Sequence, residues 1–257
     1  GSEMCIRDSY TTAYYERSVV AIRASDGRCL AKYYLGGYPY NMTINQSTGI
    51  LKVGHSGGFK TINLNNNQQY NCNVQSNLRS SYGTTVSGNY IYYYRSNKVW
   101  RAEITSGTGC PFYNSNTSFN HREGSYVGLE ANPSNALELY TLSWSGNRLK
   151  KLTVNSSGNG ATTNWTKGKL STSNSSATNL YFRYPWGLGW DRNNNRIIAS
   201  NLNNGQVHIL DTNGTWIKSI GGAPKTRMQA AHEAILALVT DSSLTSGVDY
   251  GFAYWSY

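Results

Sequence analysis

The feature that most constrains this chain is a hairpin unit found near both of its ends. Val19 to Leu30 and Gln206 to Ile217 each hold two short, largely apolar runs around a turn, Asp26-Gly27 in the first unit and Asn213-Gly214 in the second. Asp-Gly and Asn-Gly pairs are strong signals for a β-hairpin. Each unit is followed by a Gly-Gly pair, and the two pairs begin 185 residues apart, at positions 36 and 221. The chain therefore repeats a β-unit along its length.

The spacing of these units predicts a β-propeller. A separation of 185 residues divides into four units of about 46, close to the roughly 40–50 residues of a four-stranded propeller blade. Paired apolar runs mark the units between, at Gly49 to Val53 with Phe59 to Leu64, Tyr90 to Tyr94 with Val99 to Ile104, and Ala136 to Leu142 with Leu149 to Val154. We therefore predict an all-β fold, a β-propeller with four and a half blades visible and without a helix among them.

Residues 184–222 carry a more specific pattern. Pro185 to Asp191 has Pro-x-Gly at its start and Asp at its end, Arg196 to Ser200 ends in a small residue, and a third run closes with Asn213-Gly214. This order resembles one blade of the NHL-repeat family. The resemblance implies a six-bladed NHL-like propeller of which this chain holds part.

A different pattern begins after Gly222. Apolar residues follow at helical spacing, at Met228, Ala231, Ile235, Leu238 and Val239. Val248 to Trp255 is then an apolar, aromatic strand candidate. Residues 225–231 and 241–247 resemble the first helix and following loop of von Willebrand factor A-like domains in PilC/PilY-type proteins of type IV pili. The predicted organisation is thus an NHL-like propeller at residues 10–222 and the beginning of a von Willebrand A-like domain, a short α/β fragment, at 223–257.

The first nine residues are expected to be foreign to the gene. Gly1 to Ser9 resembles the in-frame translation of a sequencing-library adapter, so residues 1–9 are set apart as an artefact and the chain is expected to be a fragment truncated at both ends. No apolar run approaches the roughly 18–20 residues of a membrane span. We therefore expect no membrane span.

Two short segments carry the oxygen-rich pattern of a divalent-cation site. Von Willebrand A-like domains usually bind Mg²⁺ through Asp-x-Ser-x-Ser, because a hard ion prefers carboxylate, hydroxyl and water oxygens. The candidate metal ligands at this spacing are Asp241, Ser243 and Thr245, and Asp211, Asn213 and Thr215. The first set follows the predicted helix instead of preceding it, and the second already serves a blade hairpin. No cofactor is therefore predicted for this fragment, and Mg²⁺ or Ca²⁺ is expected only in the intact protein.

Two further motifs are interpreted as turns. Gly54 to Gly58 fits the G-x-S-x-G pattern of a serine hydrolase, but that chemistry needs a strand-to-helix turn and a strand is predicted after Gly58. Asp191, Asn193 and Asn195 alternate as calcium ligands do, but the Gly and distal Glu of a calcium loop are missing. We therefore predict an ordinary turn at each place, with no catalytic serine in the first and no calcium site in the second.

The cysteine and histidine residues suggest no site. Cys29, Cys72 and Cys110 follow the third strands of successive units, so they are predicted on outer strands of different blades, too far apart to bridge. The four histidines show no spacing typical of ligands or a catalytic pair, and turn, surface and helix positions account for them.

These observations favour a non-enzymatic, extracellular or cell-surface binding or adhesion module. Tyr and Trp would supply rigid contact area, and the partner would be a protein or glycan surface, with pilus components implied by the resemblance. The formal net charge of +10 comes from scattered basic residues without an RNA-binding motif, so nucleic acid is not the expected partner. Two alternatives stay open. One is a propeller enzyme, a lyase or hydrolase with an axial metal, and the other is a nucleic-acid-binding NHL propeller with its basic residues gathered on one face.

Overall fold

The chain folds into a five-bladed β-propeller, as seen in a computed structural model. The structure describes residues 8–23, 26, 28–45, 48–72, 83–104, 108, 110, 116–121, 124, 127–176, 178–191, 193–221, 248–249 and 253–254. Over these ranges, five sheets of four or five strands succeed one another along the chain. This confirms the predicted all-β propeller.

Each blade is a mainly antiparallel meander. Blade 1 contains β1 (Asp8–Ala13), β2 (Ser18–Arg23) and β3 (Cys29–Tyr34). Blade 2 contains β4 (Pro39–Asn45), β5 (Ile50–His55), β6 (Gly58–Asn63) and β7 (Gln68–Cys72). Blade 3 contains β8 (Gly83–Ser87), β9 (Tyr90–Arg95), β10 (Lys98–Glu103) and β11 (Thr117–Asn120).

The last two blades follow the same plan. Blade 4 contains β12 (Val127–Asn132), β13 (Asn135–Ser143), β14 (Arg148–Val154) and β15 (Ala161–Lys167). A short parallel pair, β16 (Lys169–Leu170) and β17 (Tyr181–Phe182), connects it to blade 5. Blade 5 contains β18 (Pro185–Asp191), β19 (Arg196–Asn201), β20 (Gln206–Asp211) and β21 (Trp216–Gly221), with a 3₁₀ turn at Leu202–Asn204.

In blades 2, 3 and 4, alternating side chains pack against the blades on either side. In β9, Tyr93 packs with Phe59 of blade 2, whereas Tyr92 and Tyr94 pack with Leu129 of blade 4. All three tyrosines are fully buried. The period of two in a strand thus places one buried layer on each side of the sheet. The hydrophobic core is therefore a series of seams between blades.

Polar side chains join the innermost strands of neighbouring blades. The Asn41 side-chain amide of β4 donates to the carbonyl of Thr84 in β8 at 3.1 Å. The Thr85 hydroxyl accepts from the amide of Ala131 in β12 at 3.1 Å, and the Ser87 hydroxyl donates to the Asn132 carbonyl at 3.2 Å. These bonds align the inner strands of neighbouring blades along the axis of the propeller.

Blade 1 is more complete than predicted, because its innermost position is filled from the far end of the chain. The predicted half blade contains three strands, and β23 (Ala253–Tyr254) pairs with β1 in the innermost position. β1 begins at Asp8, which pairs with Arg23, so the end of the segment predicted as an artefact lies in this sheet. The described residues form five blades, and a six-bladed whole stays a prediction.

Part of the predicted second domain also contacts the propeller. β22 (Val248–Asp249) pairs with the inner strand β18, and β23 pairs with β1. The predicted strand from Val248 to Trp255 is present as these two short pieces. The helix predicted from Met228 to Val239 lies outside the described residues, so a von Willebrand A-like domain stays a prediction.

The prediction of unpaired cysteines is wrong for two of the three residues. Cys72, at the end of β7, and Cys110, in the connection between β10 and β11, form a disulfide with their Cα atoms 5.4 Å apart. This connection reaches back to blade 2, where the Thr61 hydroxyl donates to the Thr108 carbonyl at 2.7 Å. Cys29 is exposed and unpaired.

We predict that the disulfide contributes substantially to stability. Replacing both Cys72 and Cys110 by Ser should lower the free energy of unfolding by about 3–4 kcal/mol, because the bridge closes a long loop in the unfolded chain. Urea denaturation measures this change. The Cys29→Ser variant is the control and should unfold at the urea concentration of the wild type. Equal stability of the double variant and this control would contradict the prediction.

Candidate functional site

The two ends of the propeller differ in the residues that they present. We define the upper face as the end at which the inner strands β4, β8, β12 and β18 begin. The turn between the second and third strand of each blade lies there, together with the connection to the next blade. The lower face carries the other turns. In blade 1, β1 and β2 correspond to the second and third strands, so the turn at residues 14–17 belongs to the upper face.

An aromatic cluster forms where the upper turn of blade 1 meets the start of blade 2. The Tyr14 ring stacks on Tyr38 with centroids 4.9 Å apart and lies 6.4 Å from Tyr40. The Arg17 guanidinium lies 4.6 Å from the Tyr38 ring centroid and donates to a Tyr38 hydroxyl at 3.1 Å. This hydrogen bond raises the pKa of Arg17. The neighbouring Tyr15 is 54% exposed, so part of the cluster faces solvent.

The same arrangement recurs at blades 4 and 5. Trp144, in the upper turn of blade 4, lies 4.8 Å from Tyr184, which precedes the inner strand of blade 5. The residue three positions after Tyr14, and likewise after Trp144, has a left-handed backbone conformation, with φ +51° at Arg17 and +52° at Asn147. Both clusters then use a Tyr-Pro pair at the start of the next inner strand, at Tyr38 and at Tyr184. We call these two places, Tyr14 with Tyr38 and Trp144 with Tyr184, the aromatic turns.

The second aromatic turn contains a strained tyrosine. Tyr184 has φ +50°, a conformation that costs a non-glycine residue about 1–2 kcal/mol. Its backbone amide donates to the side-chain oxygen of Asn147 at 2.9 Å, which ties it to the upper turn of blade 4. The ring is 36% exposed. Strained, partly exposed residues of this kind are concentrated at functional sites.

The first aromatic turn is supported by the hairpin after β5. Ser56 exchanges two hydrogen bonds with the backbone of Tyr38, of 2.9 and 3.0 Å. Nδ1 of His55 accepts from the amide of Gly57 at 3.1 Å, and burial together with the Lys60 charge lowers the pKa of His55. A Cβ at Gly37 would lie 2.6 Å from that nitrogen, so only glycine fits there. The G-x-S-x-G segment is therefore a hairpin turn, as predicted.

Charge is distributed unequally between the two faces. Among the described residues in the upper turns and connections, or directly beside them, one is acidic, Glu16, and it pairs with Lys32. Seven are basic, namely Arg17, Arg95, Lys98, Arg148, Lys167, Lys169 and Arg183. By the same count the lower face has the acidic residues Asp26, Glu103, Asp191 and Asp211 and the basic residues Arg23, Arg28 and Arg196. Among the described residues, the upper face is therefore strongly positive and the lower face is nearly balanced.

A buried histidine anchors the connection that leads to Tyr184. His208 is fully buried, and its Nε2 lies 3.0 Å from the carbonyl oxygen of Tyr181 and 3.1 Å from the side-chain nitrogen of Asn201. Its Nδ1 lies 2.7 Å from the Ser219 hydroxyl. Desolvation lowers the pKa of His208 to about 4. The expected turn or surface position is therefore wrong for this histidine, which is part of the core.

The predicted metal ligands within the described residues lie at a lower-face turn. Asp211 Oδ1 accepts from the amides of Asn213 at 2.9 Å and Thr215 at 2.7 Å, as in an ordinary polar turn. Asp241, Ser243 and Thr245 lie outside the described residues. Within the described ranges, no three His, Cys, Asp or Glu residues are close enough together to hold a metal ion. Both sets stay candidate metal ligands from the sequence alone.

The Asp191 segment is also a turn. Asp191 is fully buried, and its Oδ1 accepts from the amides of Asn193 and Asn194, both at 3.2 Å. Its Oδ2 accepts from the Asn194 side chain at 2.8 Å. Both carboxylate oxygens therefore bond within the turn, as the sequence predicted.

Comparison with known proteins supports the fold and does not define a family. No protein-family model and no curated protein matches the chain. A streptogramin B lyase structure matches with a TM-score of 0.53 and 13% identity, over 87% of this chain and 72% of that one. A 6-phosphogluconolactonase-like protein from Bacteroides uniformis matches with a TM-score of 0.56 and 10% identity, over 82% of this chain and 65% of that one.

A third similar structure is a binding protein. An auxiliary nutrient binding protein from Bacteroides thetaiotaomicron matches with a TM-score of 0.60 and 9% identity, over 84% of this chain and 54% of that one. At these identities the likeness establishes a β-propeller fold. The chain spans little more than half of this protein and about two thirds of the lactonase-like one.

The comparisons correct the expectation that the chain is not an enzyme. Two similar propellers are a lyase and a lactonase-like protein, so the fold gives no ground for excluding catalysis. Among the described residues, no helix has the length and apolar character needed to cross a bilayer.

The aromatic turns were not found from the sequence. Tyr14 and Tyr38 are 24 positions apart and Trp144 and Tyr184 are 40, so no fixed spacing relates the partners. One signal was available, since Tyr38-Pro39-Tyr40 and Tyr184-Pro185-Trp186 share a Tyr-Pro-aromatic order. Both triplets stand where an inner strand begins.

We predict that protonation of His208 destabilises the protein in acid. The folded protein keeps the ring neutral down to about pH 4, whereas the unfolded chain binds a proton below about pH 6.5. The free energy of unfolding should therefore fall by up to about 3 kcal/mol as the pH drops from 6.5 to 4. Chemical denaturation at a series of pH values measures this. The His208→Gln variant should be less stable at pH 7 but should lose less stability over this interval, and an equal loss in both proteins would contradict the assignment.

Proposed function

We propose that this chain is an extracellular binding propeller whose upper face binds an anionic glycan. The observation that carries the proposal is the coincidence of two aromatic turns with seven basic residues on one face. A positive face attracts an anionic ligand, and partly exposed aromatic rings provide rigid apolar contact area. Adhesion to a glycan-bearing surface would follow from such contacts.

The chemistry of the aromatic turns suits a sugar ring. One side of a pyranose presents C–H groups that stack on an aromatic ring, while its rim presents hydroxyls to hydrogen-bonding groups. Tyr15, Trp144 and Tyr184 offer partly exposed rings. The basic residues beside both turns then supply the charge for carboxylate or sulfate substituents.

The disulfide favours a glycan over the main alternative. Single-stranded nucleic acid also binds to basic faces that carry aromatic rings, and the gathering of basic residues on one face is the feature expected of a nucleic-acid-binding propeller. Disulfides persist mainly in oxidising compartments, and the Cys72–Cys110 bridge therefore supports an extracellular location. Nucleic acid is the second candidate.

The finer resemblances contribute further proposals. An NHL-like origin, a following von Willebrand A-like domain and an association with type IV pilus components would place this face on a surface-anchored adhesin. A divalent ion, Mg²⁺ or Ca²⁺, would then belong to the intact protein. Glycan binding by the upper face should in that case survive chelation.

We predict that heparin oligosaccharides bind to the upper face and that neutral dextran oligosaccharides do not. Trp144→Ala and Tyr184→Ala should each weaken heparin binding by about fivefold or more, because truncating an aromatic anchor costs more than about 1 kcal/mol. Isothermal titration calorimetry at two salt concentrations measures the affinities, and binding should weaken as salt increases.

The matched control is Tyr70→Ala, an aromatic truncation on the outer strand β7 of blade 2. It should leave the affinity for heparin unchanged. Equal weakening by all three variants would contradict the proposed site. Tighter binding of oligothymidylate than of heparin at the same ionic strength would favour the nucleic-acid alternative.

A further inference from the structure

A neutral histidine supports the hairpin that holds the first aromatic turn. His55, the last residue of β5, is buried, and its Nδ1 accepts a hydrogen bond from the backbone amide of Gly57 at 3.1 Å. An imidazole nitrogen can accept only through its lone pair, so Nδ1 carries no proton and the ring hydrogen is on Nε2. This bond therefore exists only while the ring is neutral.

The ring has no room to move towards blade 1. A Cβ at Gly37, in the connection from blade 1, would lie 2.6 Å from Nδ1 of His55 and 2.7 Å from the hydroxyl oxygen of Ser56. The backbone of this connection thus already contacts the ring. Protonation would place an N–H on Nδ1 opposite the N–H of Gly57. Since the ring cannot retreat towards Gly37, the hairpin has to move.

This hairpin holds Tyr38 in place. Ser56, between His55 and Gly57, donates from its amide to the Tyr38 carbonyl at 2.9 Å, and its hydroxyl accepts from the Tyr38 amide at 3.0 Å. The Tyr38 ring in turn stacks on Tyr14 with centroids 4.9 Å apart. A shift of the hairpin therefore separates the two rings of the first aromatic turn.

The charged groups around His55 oppose its protonation. Lys60 of β6, whose ammonium donates to a backbone carbonyl of blade 1 at 2.7 Å, faces it from the same sheet, and Arg17 lies beyond Tyr38 in blade 1. Glu16 of that turn pairs with Lys32. Burial, with a smaller effect of the Lys60 charge, lowers the pKa of His55. The folded protein therefore protonates this ring only below about pH 6.5, the ordinary value for histidine.

We propose that the upper face is a pH-sensitive site that binds its anionic glycan at neutral pH and releases it in acid, because protonation of His55 breaks the bond to Gly57 and opens the first aromatic turn. This regulation rests on the proposed function of that face. A neutral ring, His208, also supports the second aromatic turn, but burial keeps it neutral down to about pH 4. The first turn therefore opens first.

The binding test is calorimetric titration of heparin oligosaccharides at pH 7, 6 and 5. The wild-type affinity should fall by at least about fivefold from pH 7 to pH 5, the lower end of typical coupling between two sites. His55→Asn places a carbonyl oxygen near the position of Nδ1 and cannot take up a proton, so its affinity should not fall. His55→Ala removes the acceptor and should bind at pH 7 as weakly as the wild type at pH 5.

The sign of the pH effect separates this device from simple charge attraction. A positive charge on His55 would by itself attract an anionic ligand and strengthen binding in acid. By linkage, the proposal requires that bound heparin lowers the pKa of His55, which NMR titration of its ring signals measures. A pKa raised by heparin, or the same pH dependence of affinity in wild type and His55→Asn, would overturn the proposal.

A readout without ligand separates failure of this device from failure of the proposed function. NMR hydrogen exchange gives the protection factors of the Tyr38 and Ser56 amides, corrected for the intrinsic pH dependence of exchange. These factors should fall from pH 7 to pH 5 in the wild type and stay constant in His55→Asn. Absence of heparin binding at pH 7 contradicts the proposed function, whereas constant wild-type protection contradicts the switch whether or not heparin binds.

Discussion

The face-to-face contact between neighbouring sheets is the interaction on which the rest of this propeller depends. Blades 2, 3 and 4 each bury alternate side chains against the blade before and the blade after, as β9 does with Tyr93 on one side and Tyr92 and Tyr94 on the other. No blade can bury both faces alone. The inner strands are then held in register by bonds such as Asn41 to the Thr84 carbonyl and Ser87 to the Asn132 carbonyl. The stability of the propeller therefore depends on these contacts between neighbouring blades.

The contacts between blades fix where each inner strand begins. They therefore also determine which residues lie on the upper face. Tyr38 and Tyr184 stand one residue before an inner strand, and the preceding blade holds each of them through its upper turn. At Tyr184 this contact offsets an unfavourable backbone conformation through the bond from its amide to Asn147. The buried His208 fixes the connection just before that residue. Rigid inner strands thus present aromatic rings and basic residues together on one face.

Much of the fold could be predicted from local patterns. Hairpin turns such as Asn213-Gly214 set the unit length, and strand alternation identified most blade strands, including Tyr90 to Tyr94 and Leu149 to Val154. The first blade was underestimated because its inner neighbour, β23, comes from about 240 residues further along the chain. The disulfide was missed because its formation depends on the path of the connection to Cys110. Local turn chemistry does not specify that path.

The candidate site was less predictable than the fold. Composition indicated an abundance of Tyr and of basic residues, but their gathering on one face arises from which ends of the strands they occupy. Arg17, Arg148 and Arg183 are far apart in the chain. They share the upper face only because corresponding strands run in the same direction in every blade. The metal ligands proposed around Asp211 follow a linear pattern, and the structure places that carboxylate within a turn.

If the upper face binds an anionic glycan, the bound glycan should cover both aromatic turns. Amide hydrogen exchange with and without heparin oligosaccharides tests it most directly. Binding should slow exchange in the upper turns at residues 14–17 and 144–147 together and leave exchange unchanged in the lower turns at 133–134 and 212–215. Protection of the lower turns, or no change at either aromatic turn under saturating heparin, would contradict it.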